Sequence, residues 1–340
     1  MNSTQRVFAA VTGEPADRRA FTLTLSLYGA ALTGCPLDLY HSVPERYLEG
    51  QRAVLDSIGP DILFSPFVLP LEGRAFGCEL APQKNGPPNV KKPAIRDDAG
   101  LRALKAVDVE SDPGLAYLVE SVRLMSREFG PGVPLAGILT APTDLAAMIL
   151  GIERWLEILL FEPEAARDVL HVAVSHFHAM GSALLAAGAT CIVTPVMFCN
   201  PQIMNPELAG TTVMPVLREA FGNAPGPVIF HHGGIPLSRH LDLFKDVPNL
   251  LGFVLDERDS FAQARQSLGP DPVLLGGLSG PHMPGRTPEA IRRRVLDVLQ
   301  DRQDDPRFIL ATTSADVPMG TPLENILAVR NAVFSDGSPS

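Results

Sequence analysis

Eight short apolar runs constrain the fold of this chain more than any other feature of its sequence. Each run is rich in Val, Ile, Leu and Phe and leads into Gly, Pro, Ser or Asp, which is typical of buried parallel strands. The runs occupy residues 21–27, 61–67, 133–140, 191–197, 227–232, 250–256, 272–279 and 307–313. Segments with helical periodicity separate most of them, so the sequence predicts strands that alternate with helices.

The clearest helix is predicted at residues 287–300. Thr287 is placed to cap its N-terminus and Pro288 suits its first turn. One face carries the apolar side chains of Ile291, Val295, Val298 and Leu299. Eight strand and helix units favour an α/β protein with the (β/α)8 TIM-barrel fold. A doubly wound sheet is disfavoured because it would need fewer strands and often has a Gly-rich first turn, and the chain has no Gly-x-Gly-x-x-Gly.

One barrel domain is expected at residues 1–335, with a disordered tail at 336–340. A chain of 340 residues that is 46% hydrophobic can bury one large core, and this length suits a single barrel. Two insertions are predicted. The first is an excursion at 71–131, which includes an exposed loop at 84–93, and the second is a pair of long helices at 145–160 and 163–186. Both could wall a site at the barrel mouth.

Composition excludes several classes of function. The formal net charge of −10 disfavours a nucleic-acid partner, because such proteins concentrate Lys and Arg on one face. No run of 18 or more apolar residues occurs and residues 1–20 are polar, so no membrane association is expected and a cytoplasmic location is predicted. Four cysteines without paired spacing predict reduced thiols.

Four segments, in order, resemble the uroporphyrinogen decarboxylase superfamily. The last, Val-Pro-Met-Gly-Thr-Pro-Leu-Glu-Asn at 317–325, resembles the motif after the final barrel strand of that superfamily. Residues 6–18, 73–80 and 141–151 are similar to further segments of its corrinoid-dependent methylcobamide:coenzyme M methyltransferase branch. The resemblance covers residues 6–333 and implies a (β/α)8 barrel with its active site at the mouth.

The residues that the decarboxylases use are changed in this chain. The resemblance places an arginine-rich segment after the first strand, where residues 26–34 contain no cation. It places an aspartate at Pro66, a tyrosine near Met148 and a histidine at Ala315. A macrocycle that bears many carboxylates needs several cations to offset its desolvation. Uroporphyrinogen is therefore a disfavoured substrate.

The methyltransferase branch implies zinc held by a histidine and two cysteines. Here His231 matches the histidine, but the cysteine positions read Gly233 and Ala315. A lone histidine does not retain zinc tightly. Two alternatives stay open: a divalent ion held by His231 with carboxylates, or a metal-free acid or base at His231. A corrinoid on a partner protein or tetrahydrofolate is the methyl carrier that the resemblance implies.

Candidate site residues follow the predicted strands, at the end where barrel enzymes place their chemistry. We predict catalytic roles for His231, Asp256 and Asp316, with a carboxylate orienting His231. Because neighbouring strand residues alternate in direction, only one of His231 and His232 should face the axis, and His231 is the choice. Substrate-binding roles are predicted for His232, Glu257, Ser279, His282, Asn200 and Ser314. His171, His176 and His178 share one predicted helix and are expected to be solvated or packing residues.

The leading interpretation is a methyltransferase or demethylase. It would move a methyl group between a small methylated substrate or a corrinoid protein and an acceptor, as a monomer or homodimer. One alternative is a decarboxylase that acts on a tetrapyrrole or another carboxylic acid. A second alternative is a ligand-binding barrel without catalysis.

Overall fold

Eight parallel strands form the barrel, and each lies within one of the predicted apolar runs. The computed structural model describes residues 1–198, 203–237 and 240–336. Its strands are β1 Phe21–Thr22, β2 Leu63–Phe64, β3 Glu79–Ala81, β4 Asn89–Lys92, β5 Leu135–Ile138, β6 Cys191–Pro195, β7 Val228–His231, β8 Leu250–Val254, β9 Val273–Ser279 and β10 Phe308–Thr313. The barrel strands pair in the order β1, β10, β9, β8, β7, β6, β5, β2, and every pair is parallel. The predicted fold is confirmed.

Helices surround the strands on the outside of the barrel. They are α1 Ser3–Thr12, α2 Tyr28–Thr33, α3 Leu37–Tyr40, α4 Pro44–Ser57, α5 Pro70–Ala75, α6 Asp98–Arg102, α7 Pro113–Phe129, α8 Pro142–Leu150, α9 Ile152–Phe161, α10 Pro163–Ala186, α11 Pro206–Leu208, α12 Met214–Gly222, α13 Phe261–Leu268, α14 Pro288–Asp301 and α15 Leu323–Asp336. A π-helical turn, Ala209–Val213, and two 3-10 turns, Leu241–Phe244 and Met283–Gly285, complete the connections. The predicted cap of α14 is confirmed, because the Thr287 side chain accepts from Ala290 N at 3.2 Å.

Side-chain alternation along the strands separates two cores. Inward-facing residues form a small apolar cluster inside the barrel, which includes Ala136, Val193, Ile229, Leu275 and Ala311. Outward-facing residues join the larger core between the strands and the helices. The interior of the barrel is therefore filled by side chains, and the strand ends are left to form the site.

Two predictions about the insertions were wrong in detail. The helix expected at 145–160 is two helices, because Gly151 has φ +82° and separates α8 from α9. The loop expected at 84–93 contains β4, which pairs antiparallel with β3. Lys91 and Lys92 of β4 both bridge to Glu79, so charge pairing supports a hairpin that has little apolar content.

Helix α10 is long and apolar enough to cross a membrane by length and composition, but 50% of its apolar window is buried within the fold. Ala173, Phe177 and Met180 are among its buried side chains. This burial is typical of the core helix of a barrel. The cytoplasmic location stays a prediction.

The cysteines that the structure describes are free thiols. Cys78 and Cys191 are buried and Cys35 is half-buried. Burial raises the pKa of the Cys191 thiol to about 12, which leaves it protonated and unreactive. Cys199 lies outside the described residues, as do 337–340 in the predicted tail.

The seam between β1 and β2 is held by one fully buried carboxylate, Asp61. Its backbone N–H donates to Phe21 O at 2.8 Å, and its side chain accepts from Phe21 N at 3.0 Å. Arg6 and Arg18 donate to the same carboxylate at 2.6 and 2.7 Å. The first and last strands of the sheet order are thus joined by Asp61 together with the bond from the Thr22 hydroxyl to Ile62 O.

We predict that Asp61→Asn lowers the free energy of unfolding by about 3–5 kcal/mol, because it leaves two guanidinium groups without their buried counter-charge. Urea unfolding measures the change. The matched control is Asp56→Asn on the exposed side of α4, which should stay within about 0.5 kcal/mol of the parent. A loss as small as that of the control would contradict the role of Asp61 in closing the barrel.

Candidate active site at the barrel mouth

Two adjacent histidines lie at the end of strand β7. His231 is its last residue, His232 follows it, and the two side chains have different surroundings. His231 lines the cavity inside the barrel. His232 is fully buried beside it, and the two rings stack with centroids 4.6 Å apart and planes 17° apart. His231 is therefore the histidine that reaches the barrel interior.

His231 is held neutral, with its proton on Nε2. The Gly233 N–H donates to Nδ1 at 3.1 Å, so Nδ1 accepts and the ring proton must sit on Nε2. Burial, and secondarily the neighbouring His232, lowers the pKa of His231 well below its usual value. Within the described residues Nε2 has no hydrogen-bond partner. It offers one N–H donor to whatever enters the mouth.

The predicted orienting carboxylate is not found at His231. Asp256 Oδ2 lies 3.7 Å from Nδ1 of His232, and both of its oxygens accept from Arg258. Burial would raise the pKa of Asp256, but the hydrogen bonds and charge of Arg258 outweigh it and hold that pKa below its usual value. Asp256 therefore supports His232, and a backbone amide orients His231 instead.

Asp316 follows β10 and behaves as a carboxylic acid. Its Oδ1 accepts from Leu27 N at 3.4 Å, and the residue is half-buried. Burial raises the pKa of Asp316 to about 8, against weaker opposing bonds from backbone N–H groups of Leu27 and Ser26. At neutral pH it can donate a proton, which an ordinary surface aspartate cannot.

The other predicted residues do not form one cluster with His231. Ser314 gives its backbone N–H, and not its hydroxyl, to His232 Nε2 at 3.2 Å. His282 Nδ1 lies 2.8 Å from Glu257, which also pairs with Arg286 at 3.5 Å, so these side chains form a separate cluster on the β8 and β9 side. Ser279 is buried at the end of β9. Asn200 lies outside the described residues.

Asp144 at the start of α8 is a mouth residue that the sequence analysis did not select. Its Oδ1 accepts from Met197 N at 2.8 Å and its Oδ2 from the Thr143 hydroxyl at 3.0 Å. Burial raises the pKa of Asp144 to about 7 despite these bonds. An aspartate in the first turn after a strand and a Pro was the available signal, since barrel loops place such residues at the mouth.

His176 is more deeply placed than expected. It is buried against Glu72, with Nε2 3.1 Å from Oε2, and Glu72 also accepts from the backbone and hydroxyl of Thr140 at 2.9 and 2.6 Å. His171 is exposed, and His178 Nε2 lies 2.9 Å from Ala220 O. His176 and His178 therefore belong to the helix packing, and His171 is solvated, as the sequence analysis allowed.

A narrow cavity of about 40 Å³ runs below the strand ends. It has room for about three or four water-sized groups at roughly 10–15 Å³ each. The lining residues are Thr22, Thr24, Ile62, Phe64, Phe67, Ala136, Ile138, Cys191, Val193, Pro195, Ile229, His231, Val254, Leu275, Ala311 and Thr312. With His231 neutral, none of these side chains carries a charge.

The mouth does not fit the zinc site that the methyltransferase resemblance implied. No three His, Cys, Asp or Glu side chains come together as a metal-binding group in the described part of the chain. Gly233 has φ +66°, and a Cβ there would lie 2.8 Å from Val196 O, so the backbone itself disfavours a cysteine. The alternative of a His231 and carboxylate metal site is not supported either, since Asp256 and Asp316 contact other groups.

Comparison with known proteins identifies the family. The family model described as uroporphyrinogen decarboxylase (URO-D) matches residues 2–335. The chain belongs to the uroporphyrinogen decarboxylase family. It is 23% identical over 332 residues to the methylcobamide:CoM methyltransferase MtaA of Methanosarcina barkeri, a match that covers 95% of each chain. It is 26% identical to the uroporphyrinogen decarboxylase of Carboxydothermus hydrogenoformans, over 83% of this chain and 80% of that one.

The same fold is found in a solved structure. A methyltransferase from Methanosarcina mazei superposes with a TM-score of 0.88 at 21% identity and covers 99% of this chain and 100% of its own. The uroporphyrinogen decarboxylase family thus includes enzymes of two reaction types among the relatives of this chain. The barrel is shared by both types, so the residues at the mouth must decide between them.

We predict that restoring the cysteines does not restore tight zinc binding. The double variant Gly233→Cys, Ala315→Cys places a side chain in the left-handed conformation of Gly233, at a cost of about 1–2 kcal/mol, and against Val196 O. Equilibrium dialysis and thermal unfolding should show weak zinc uptake and a lowered Tm. The single variant Ala315→Cys, at an exposed position, is the control for stability. Stoichiometric zinc that survives dialysis would contradict the conclusion that the backbone at Gly233 disfavours a zinc-binding cysteine.

We predict a distinct pH dependence for Asp316→Asn. Because the pKa of Asp316 is raised in the folded state, its contribution to stability is full at acid pH and is lost as the pH rises toward about 8. Asn can still accept from Leu27 N, and its side chain does not ionise as the pH rises. The free energy of unfolding of the variant, relative to that of the parent, should therefore be higher at about pH 8 than at about pH 5. The exposed control Asp304→Asn should show no such trend, and a flat difference for Asp316→Asn would refute the raised pKa.

Proposed function

We propose that this protein is a methyltransferase or demethylase that moves a methyl group between a small methylated substrate and a corrinoid protein. It would use the histidine and carboxylic acid at the barrel mouth, and not a cysteine-ligated zinc. The methyltransferase relatives support this reading because one of them matches 95% of both chains. The proposal concerns the reaction type and the mouth residues of this chain.

The observation that carries the proposal is the uncharged lining of the cavity. Apart from neutral His231, it consists of aliphatic, aromatic, threonine, proline and cysteine side chains. A substrate that bears many carboxylates would lose its hydration there with no cation to compensate. Helix α2, which begins after β1, contains no cation. A methyl-sized group is what a cavity of about 40 Å³ can accept, while the rest of the substrate stays in the mouth.

The mouth can assist the cleavage of a methyl–oxygen or methyl–nitrogen bond. The methyl–heteroatom bond would break so that the heteroatom keeps the electron pair, and a reduced corrinoid held by a partner protein would supply the nucleophile that accepts the methyl group. The Nε2–H of His231 donates to the heteroatom as negative charge develops, as a neutral imidazole can. Asp316 then gives up its proton to the leaving group and is reprotonated from solvent.

We predict that His231→Ala lowers the rate of demethylation by at least about 100-fold and leaves the fold intact. The assay presents a panel of methoxy and methylamine compounds to the protein with reduced cobalamin and follows the formation of methylcobalamin by its absorbance. The loss arises because alanine removes the Nε2–H, and His231 is the one imidazole among the described residues that line the cavity.

The matched control for this experiment is His171→Ala, an exposed histidine of α10. It should retain the parent rate. Near-normal demethylation by His231→Ala would refute the role of His231. Release of carbon dioxide from a carboxylic acid, with no methyl transfer, would favour the decarboxylase alternative, and tight binding without turnover would favour a non-catalytic barrel.

A further inference from the structure

One hydrogen bond joins strand ends that are not neighbours in the sheet. His232 follows β7 and its Nε2 accepts from the N–H of Ser314, which follows β10 and lies 82 residues later in the sequence. Strands β8 and β9 lie between β7 and β10 in the barrel. The bond therefore crosses part of the mouth above the ends of two strands, and His232 is fully buried where it does so.

A backbone N–H contacts each ring nitrogen of His232, and the acceptors near Nδ1 favour the tautomer in which Nε2 accepts. Nδ1 lies 3.3 Å from Ile235 O and 3.7 Å from Asp256 Oδ2, and both of these atoms are acceptors. These two acceptors favour the tautomer with its proton on Nδ1. In that tautomer Nε2 is unprotonated and accepts from the Ser314 N–H. The Gly234 N–H is 3.0 Å from Nδ1, but it could bond there only in the other tautomer, in which Ser314 would lose its acceptor.

Ser314 adopts an unfavourable backbone conformation, and its hydrogen bond to His232 offsets the cost of that conformation. It has φ +77°, in the left-handed region that a serine seldom adopts. Two residues later Asp316 accepts from Leu27 N, and Val317 N donates to Thr24 O at 2.9 Å, so the far side of the same turn is tied to the segment after β1. Hydrogen bonds therefore hold the turn at 314–317 at both ends. The bond on the β7 side is the one to His232.

We propose that His232 is a positioning residue, which links the end of β7 to the turn after β10 and so fixes the position of Asp316 within that turn. The positions that align with the zinc ligands of the methyltransferase branch are His231, Gly233 and Ala315, and the linked residues lie next to them in the sequence. The hydrogen bond between His232 and Ser314 thus connects the ends of β7 and β10, where the described residues do not fit zinc. The catalytic consequence rests on the proposed demethylation, whereas the link itself does not.

The experiment compares His232→Phe with His232→Gln. Phe keeps a ring against His231 and removes the acceptor, so hydrogen exchange at the Ser314 amide should become faster by about 10-fold, the equivalent of one ordinary hydrogen bond. Gln offers a side-chain oxygen in place of Nε2 and should recover at least part of the protection. In the demethylation assay, kcat should fall in His232→Phe and recover partly in His232→Gln, while KM changes little.

The exposed control His171→Phe should leave both the Ser314 exchange and the rate unchanged. Unaltered protection of Ser314 in His232→Phe would overturn the proposal, whatever its activity. If that variant does not fold, a Gln variant whose Ser314 amide is unprotected would overturn it equally. A parent protein that demethylates no compound would refute the proposed function alone, since the exchange measurement still tests the link.

Discussion

The buried carboxylate of Asp61 is the interaction on which the architecture of this barrel depends. It receives the guanidinium groups of Arg6 and Arg18 and the backbone N–H of Phe21 in a place with no access to solvent. Because β1 and β2 contribute only two residues each to the sheet, ladder hydrogen bonds alone provide little closure at this seam. Closure in turn brings the loops after β1 and β10 into the same mouth as those after β5 and β7.

The chemistry of that mouth depends on groups that are kept uncharged. Burial lowers the pKa of His231, so that a neutral ring with one N–H faces the cavity, and raises that of Asp316 to about 8. The charged groups pair among themselves outside the cavity lining, as in Asp256 with Arg258 and Glu257 with Arg286. Neutral donors suit a leaving group that gains negative charge, and they offer little to a polyanion.

The strand pattern predicted the fold well, because eight apolar runs with helices between them have few other arrangements. The same pattern placed His231 at the barrel mouth, since strand alternation is a local rule. The break at Gly151 and the β3 and β4 hairpin were not predicted, because one depends on a single backbone angle and the other on charge pairing across a loop. The sequence also could not show that Asp256 contacts His232, or that Ser314 bonds to a histidine 82 residues away. Those contacts depend on tertiary structure, as do the raised pKa values of Asp144 and Asp316.

We propose that this member of the uroporphyrinogen decarboxylase family transfers methyl groups without a zinc site. Elemental analysis of the purified protein, combined with the demethylation rate before and after exhaustive dialysis against a strong chelator, is the most direct test. We expect no stoichiometric zinc and an unchanged rate after dialysis. One zinc ion per chain, with activity that is lost on chelation and regained when zinc is added back, would contradict it.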